Sequence, residues 1–335
     1  MLAWTLTDGS AEHEARCLGV AELVADRIER RHVAPRAPWR WFAPFSPIDP
    51  RDAPTGRSDG PVAARRGWPD VVVASGRTSV PYLACVKRAS GGRVVTAYLG
   101  ETLAGAGAAD VVAVLHGSRM RGPTVVSTAT RPHRVSPVRL VAARGGPALF
   151  PESSSGRRVG VLIGARRRRW TGEDVERLVA GLRRLRDDGA TVALVCARDA
   201  DPRVDMAARD VAHYVWDRQG RDPRVRLLAQ SDALVVAADD PSALDEAVAT
   251  GAPVYGFRPS GIDRRSAATL DRLSALGVAR PFAGRLELYA YTPIDSTAEI
   301  ARAISAVIAT RAALKPKAER RAPARSRETN GPTYR

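Results

Sequence analysis

The residues best suited to chemistry lie in the stretch Ser231 to Phe257, SDALVVAADDPSALDEAVATGAPVYGF. An apolar run, Ala233 to Ala237, gives way at Ala238, Asp239 and Asp240 to a helical pattern that ends at Gly251. Aspartate is a good helix N-cap, and proline costs nothing at the first helical position because its missing N–H would have no partner there. Asp240-Pro241 therefore reads as a helix start. The spacing predicts that the N–H groups of Ser242, Ala243 and Leu244 point into a cleft with the positive end of the helix dipole, an arrangement suited to phosphate. Glu246, on the first turns, could accept hydrogen bonds from ribose hydroxyls. A plainer reading, with Asp240 only a cap and Glu246 only solvated, is equally open from residue types alone.

Other turns offer related chemistry. Gly164 closes the run Val159 to Ile163, and a glycine there lets backbone approach a ligand closely. Arg166, in the run Arg166 to Arg169, could fork onto phosphate oxygens or belong to a solvated basic loop. Ser75-Gly76-Arg77 follows another apolar run and could hold an acceptor or a phosphate. Arg36 to Pro47, RAPWRWFAPFSP, sets Trp39, Trp41, Phe42 and Phe45 among arginines. That mixture suits an anionic membrane surface, or else a Pro-rich loop with its aromatics packed inside. The three cysteines (Cys17, Cys85, Cys196) and five histidines show no metal-ligand spacing, so no metal is expected.

The elements that position these residues alternate. Leu2 to Thr7, Val71 to Ala74, Arg93 to Ala97, Val111 to Leu115 and Thr124 to Ser127 read as strands. A helical pattern runs from near Ala11, through Ala15, Leu18, Leu23 and Ile28, to Arg31. After a Gly/Pro/Ser-rich break the pattern restarts. Strands are expected at Val159 to Ile163, Thr191 to Val195, His213 to Trp216, Ala233 to Ala237 and Pro253 to Phe257. A helix begins at Thr171, and others follow near Met206, Asp240 and Ser266. Strands separated by helices of this length make parallel βαβ units. Two such blocks predict an α/β protein of two doubly wound, Rossmann-like domains, with ligands just beyond the strand tips. The expected organisation is a first domain over 1–147, a linker over 148–157, a second domain over 158–297, a terminal helix over 298–314 and a disordered basic tail over 315–335.

The 335 residues carry a formal net charge of +16. The segment from Arg311 onward holds eight Lys/Arg against two Glu, which accounts for +6 of that excess. Lysine is nearly absent. With no zinc finger, RRM aromatic signature or other nucleic-acid motif, nucleic-acid binding is not expected. No apolar run approaches the length of a membrane span, and the start of the chain does not read as a signal peptide, so a cytoplasmic location is expected.

The segment around Glu246 and Gly251-Ala252-Pro253 resembles the nucleotide-sugar motif of glycosyltransferase-B enzymes, including the lipid I transferase of peptidoglycan synthesis. Over residues 4–310 the chain is similar to the mitochondrial-fission family first known from plants and its bacterial relatives. The matching pieces include Trp4 to Gly9 with His13-Glu14, Trp68-Pro69-Asp70, Ala74-Ser75-Gly76-Arg77, His133 to Pro137, Val161 to Gly164, Ser231-Asp232-Ala233 and Thr250 to Val254.

The resemblance implies a glycosyltransferase-B-like fold whose terminal helix braces the first domain. It also implies a nucleoside-diphosphate sugar as substrate, with no further cofactor, held by Gly164, Arg166, Asp239, Asp240, Ser242, Ala243 and Glu246. Ser75, Gly76 and Arg77 would serve the acceptor. His13 would be the general base, unless it merely pairs with Glu12 or Glu14, and Asp8 would either orient His13 or cap the helix. The implied reaction is inverting, metal-independent glycosyl transfer to a lipid or envelope acceptor. The alternatives are a non-catalytic membrane-surface adaptor, peripheral at the inner face of the membrane, and a nucleotide sensor. The epimerase label often given to bacterial members finds neither GxGxxG after the first strand nor a YxxxK pair here.

The chain also departs from its relatives. Asp240 and Asp245 replace serines, and Asp222-Pro223-Arg224 stands where relatives carry Asn-Pro-Tyr. Carboxylates beside a diphosphate oppose its binding. One like charge at about 5–6 Å costs about 3 kcal/mol at an effective dielectric near 20. Arg166 to Arg169 are expected to offset this.

Overall fold

The computed structural model describes residues 1–54, 60–102, 104–151, 156–164 and 170–314. Arg166 and the basic tail lie outside these. The first block runs β1 (Leu2–Thr7), α1 (Ala11–Val24), β2 (Arg27–His32), the short α2 (Trp39–Phe42), β3 (Val71–Ala74), α3 (Ser79–Ala89), β4 (Val95–Leu99), α4 (Gly105–Ala108), β5 (Val111–Leu115) and β6 (Val125–Thr128). Its strands form one six-stranded parallel sheet in the order β2-β1-β3-β4-β5-β6. After α5 (Pro137–Arg144), the second block runs β7 (Arg158–Ile163), α6 (Gly172–Asp187), β8 (Thr191–Cys196), α7 (Pro202–Arg209), β9 (Tyr214–Val215), α8 (Arg224–Gln230) and β10 (Ala233–Ala237). It continues with α9 (Pro241–Val248), β11 (Val254–Phe257), α10 (Arg264–Ala275) and β12 (Arg280–Pro281). These strands form a second six-stranded parallel sheet, β12-β11-β10-β7-β8-β9. The last helix is α11 (Ser296–Leu314).

Central strands such as β3, β8 and β10 are buried along their whole length, as a parallel sheet covered by helices on both faces requires. Helix α6 shows how the sequence sets an element. Val175, Leu178, Val179, Leu182 and Leu185 line its buried face. Its start is fixed by a reciprocal cap between Thr171 and Asp174, with bonds of 3.1 and 3.0 Å.

Two expectations are corrected. The helical pattern of the first block does not continue to Arg31: α1 stops at Val24, and Ile28 lies in β2. That strand, RIERRH, is an edge strand with mostly charged side chains, so it lacks the alternation that marks a half-buried strand. The domain boundary also falls earlier than residue 147. Leu140, Leu149 and Phe150 join the core built on Leu227, Leu228 and Leu234, so α5 packs on the second domain.

The chain crosses between domains twice. It passes over after Thr128 and returns into α11, whose Ile300 and Ile304 pack with Cys17, Val20 and Val24 of α1. Buried hydrogen bonds tie the two crossings together. Thr130 Oγ1 and Ser296 Oγ lie 2.9 Å apart, and the His133 amide donates to Thr297 Oγ1 at 3.1 Å.

Candidate functional site

In an open parallel sheet the ligand crevice lies where successive connections depart in opposite directions. The first sheet reverses between β1 and β3, the second between β7 and β10. Asp8 and Ser75-Gly76 follow the first pair of tips; Gly164 and Asp239-Asp240 follow the second. The two reversals meet across the cleft, where Ser242 Oγ on α9 lies 3.2 Å from Glu12 on α1.

On the first-domain side, His13 Nδ1 lies 2.8 Å from Asp8 Oδ1. His13 thus pairs with Asp8 rather than with Glu12 or Glu14. The Ser10 amide donates to the same carboxylate oxygen at 3.1 Å. Burial works against the Asp8 charge, but the His13 and Ser10 hydrogen bonds outweigh it and hold the carboxyl below its ordinary value. Gly76 is required beneath this pair. A Cβ there would lie 2.9 Å from Asp8 Oδ2 and 3.0 Å from His13 Nδ1, and the residue has φ of 96°. Ser75 is corrected: it is buried, and its hydroxyl donates to the Leu99 carbonyl, so it presents no side chain to an acceptor. Arg77 is exposed and reaches the Arg40 carbonyl at 3.4 Å.

On the second-domain side, Asp240 caps α9 through the Ala243 amide at 3.0 Å. The Leu244 amide bonds to the Asp240 carbonyl at 3.3 Å. Two of the three amides expected to be free are therefore used by the cap and the first turn, and both residues are buried. Asp239 is also turned to a structural task, accepting from Trp170 Nε1 at 2.8 Å. Gly164 packs beneath this turn; a Cβ there would lie 2.8 Å from Asp239 Oδ1 and 2.9 Å from Asp240 Cβ.

Arg224 is the residue that sequence reasoning underrated. Its Nε donates to Glu246 at 2.6 Å and its terminal nitrogens reach Asp240 at 3.2 Å. Burial works against its charge, yet Glu246, Asp240 and Asp222 more than offset this and hold its pKa above the ordinary value. Glu246 is thus neither solvated nor free, since one carboxylate oxygen is committed to Arg224. Two departures from the relatives, Asp240 and Arg224, are partners, so Arg224 supplies counter-charge at the α9 start; Arg166 to Arg169, expected in that role, lie outside the described residues. Asp245 is corrected as well. It points away from the α9 start, is fully buried, and pairs with Arg131 at 2.8 Å and Arg272 at 3.7 Å. Arg16 lies within electrostatic reach of Arg131 and Asp245, one helical turn beyond His13. The His13-to-Arg16 spacing could have placed Arg16 on this face; nothing in the sequence pointed to Arg131 or Arg272.

Among the described residues, no group of three or more His, Cys, Asp or Glu is placed to hold a metal. No described helix is long and apolar enough to cross a membrane.

Comparison with known proteins agrees with this architecture. A 101-residue stretch is 37% identical to the mitochondrial fission protein ELM1 of Arabidopsis thaliana, covering 29% of this chain and about a quarter (24%) of that protein's length. Among solved structures, MnaA of S. aureus with UDP superposes with a TM-score of 0.52 at 12% identity, over 94% of this chain and 98% of that one. A UDP-GlcNAc 2-epimerase from Neisseria meningitidis, bound to UDP-GlcNAc, gives 0.50 at 11% identity, over 93% of each chain. The likeness is one of fold: two Rossmann-like domains facing across a cleft, the glycosyltransferase-B arrangement. Residues 11–308 match the family described as mitochondrial fission ELM1, and the chain belongs to that family.

Proposed function

We propose that the interdomain cleft binds a nucleoside-diphosphate sugar and that the chain transfers the sugar, with inversion and without a metal, to a lipid or envelope acceptor. The observation that carries this reading is the Asp8–His13 pair at one sheet reversal, set opposite the start of α9 at the other, with Glu12 and Ser242 in contact between them. Similar folds solved with UDP and UDP-GlcNAc support the choice of ligand class.

With Nδ1 engaged by Asp8, Nε2 is the ring nitrogen left for proton transfer. It would take the proton of an acceptor hydroxyl as that oxygen bonds to the anomeric carbon and the carbon–phosphate oxygen bond breaks. The departing diphosphate would gain its electrostatic support from the Ser242 end of α9 and from Arg16. Glu246 keeps one oxygen for a ribose hydroxyl.

Calorimetric titration with UDP, GDP and their sugars tests this. Saturable binding that Glu246→Ala removes supports the donor site; binding that persists in that variant refutes it. His13→Ala should abolish turnover while leaving donor affinity within about threefold.

A second reading, docking at a membrane surface, is favoured by one observation. Trp41, Phe42 and Phe45 are 67, 64 and 69% exposed, whereas Trp39 is half-buried. Of the four aromatics that the sequence sets among arginines, Trp41, Phe42 and Phe45 are thus the ones open to a surface.

A further inference from the structure

We propose that the apolar groove under Phe45 takes the hydrocarbon chain of an anionic membrane lipid, whose phosphate is met by the arginines at its rim. This rests on the membrane-surface reading of the same segment and adds a defined site to it.

Three observations converge. First, no residue of α2 is fully buried, and its Trp41 and Phe42 stand exposed. Large contiguous apolar patches on a protein surface mark interaction sites. Second, two hollows, of about 330 and 430 Å³, share Phe45, Ser46 and Pro47 as a common wall. Their size falls within the roughly 300–1,000 Å³ of small-ligand sites. Ile48, Val80, Ala84 and Cys85 line the deeper one, with Arg88 at its rim. Such walls offer a polar ligand almost nothing to bond, whereas a methylene chain needs only to leave water.

Third, Arg36, Arg40, Arg77 and Arg88 are exposed around this patch. No ion pair joins any of them to a carboxylate among the described residues. The backbone links three of them: the Arg40 amide bonds to the Arg36 carbonyl, and Arg77 reaches the Arg40 carbonyl. Unpaired guanidiniums beside exposed aromatics complement a phosphate headgroup above a hydrocarbon layer.

Cys85 makes the groove testable. It lines the wall and is partly exposed, while Cys17 and Cys196 are buried. Burial raises its thiol against the pull of Arg88, so labelling is run at mildly alkaline pH. The full chain is reacted with a membrane-impermeant maleimide in buffer, with phosphatidylcholine vesicles, with phosphatidylcholine–phosphatidylglycerol vesicles, and with monomeric dodecyl phosphate or inorganic phosphate. Cys85→Ser assigns the signal.

The groove reading predicts that phosphatidylglycerol vesicles and dodecyl phosphate each slow labelling about tenfold, while phosphatidylcholine vesicles and inorganic phosphate leave it unchanged. Replacing Trp41, Phe42 and Phe45 together with alanine should weaken vesicle binding about tenfold or more and restore labelling. Cosedimentation with unchanged Cys85 reactivity would overturn the groove while leaving surface docking standing. No cosedimentation would overturn both. Protection that grows with protein concentration and needs no lipid would replace the lipid by a second copy of the chain.

Discussion

The pairing of Asp240 with Arg224 can be taken apart by a double-mutant cycle. Asp240→Ser keeps a capping oxygen for the Ala243 amide, so it removes the charge while sparing the cap. Arg224→Gln removes the guanidinium and keeps part of the stem. Two contacts of 3.2 Å join the groups, whose side chains are 22 and 26% exposed. Opposite charges about 4 Å apart at an effective dielectric near 20 attract by about 4 kcal/mol before desolvation. Desolvation and partial screening reduce this to a coupling of about 1–2 kcal/mol. Urea unfolding of the four proteins at neutral pH and low salt measures it. The double variant should be less destabilised than the sum of the singles by that amount. Additivity within about 0.5 kcal/mol would refute the claim that the two residues act as a unit. Nucleotide affinity gives a second reading. Arg224→Gln leaves the Asp240 and Glu246 carboxylates uncompensated, and about 3 kcal/mol of repulsion from one of them corresponds to roughly a hundredfold loss of diphosphate affinity. Adding Asp240→Ser should recover most of it.

Other outcomes follow from the same geometry. Asp174 is buried, which raises its pKa, but hydrogen bonds from Thr171 and Ser260 win and bring it down to about 2. Its stabilisation of about 2 kcal/mol is present above the unfolded carboxylate pKa and is lost as pH falls through the folded value, so Asp174→Asn should cost that much at pH 6 and little near pH 2 in urea titrations. Asp245→Ala leaves Arg131 and Arg272 without their buried counter-charge and should lower the free energy of unfolding by about 3–5 kcal/mol, read by the urea midpoint. Gly76→Ala forces a Cβ against Asp8 and His13 at a positive φ; it should cost about 1–3 kcal/mol and shift the His13 ring resonances in NMR, whereas an unchanged His13 spectrum would contradict the packing.

The parallel sheets were legible because their strands are short apolar runs bounded by turns, and the helix starts at Thr171 and Asp240 because capping residues announce them. The edge strand β2 was not, since its charged side chains carry no period. The boundary before α5 was also hidden. Ser136-Pro137 is a helix-start signal, but only tertiary packing of Leu140 and Phe150 decides which core the helix joins. At the candidate site, the ends of the apolar runs put Asp8, Gly76, Gly164 and Asp240 just after β1, β3, β7 and β10, where the structure also has them. Side-chain direction escaped sequence reasoning: Ser75 turns inward to Leu99, Asp245 toward Arg131, and Glu246 toward Arg224. A one-dimensional reading counts charges near a turn but does not show which ones face each other, so Asp240 looked like a liability until Arg224 was seen beside it.

The cleft itself is tested most directly by hydrogen–deuterium exchange of the full chain with and without UDP. A ligand spanning the two sheet reversals should slow exchange in residues 8–16 and 239–246 together. Protection confined to one domain, or absent at saturating UDP, would contradict a nucleotide site shared between them.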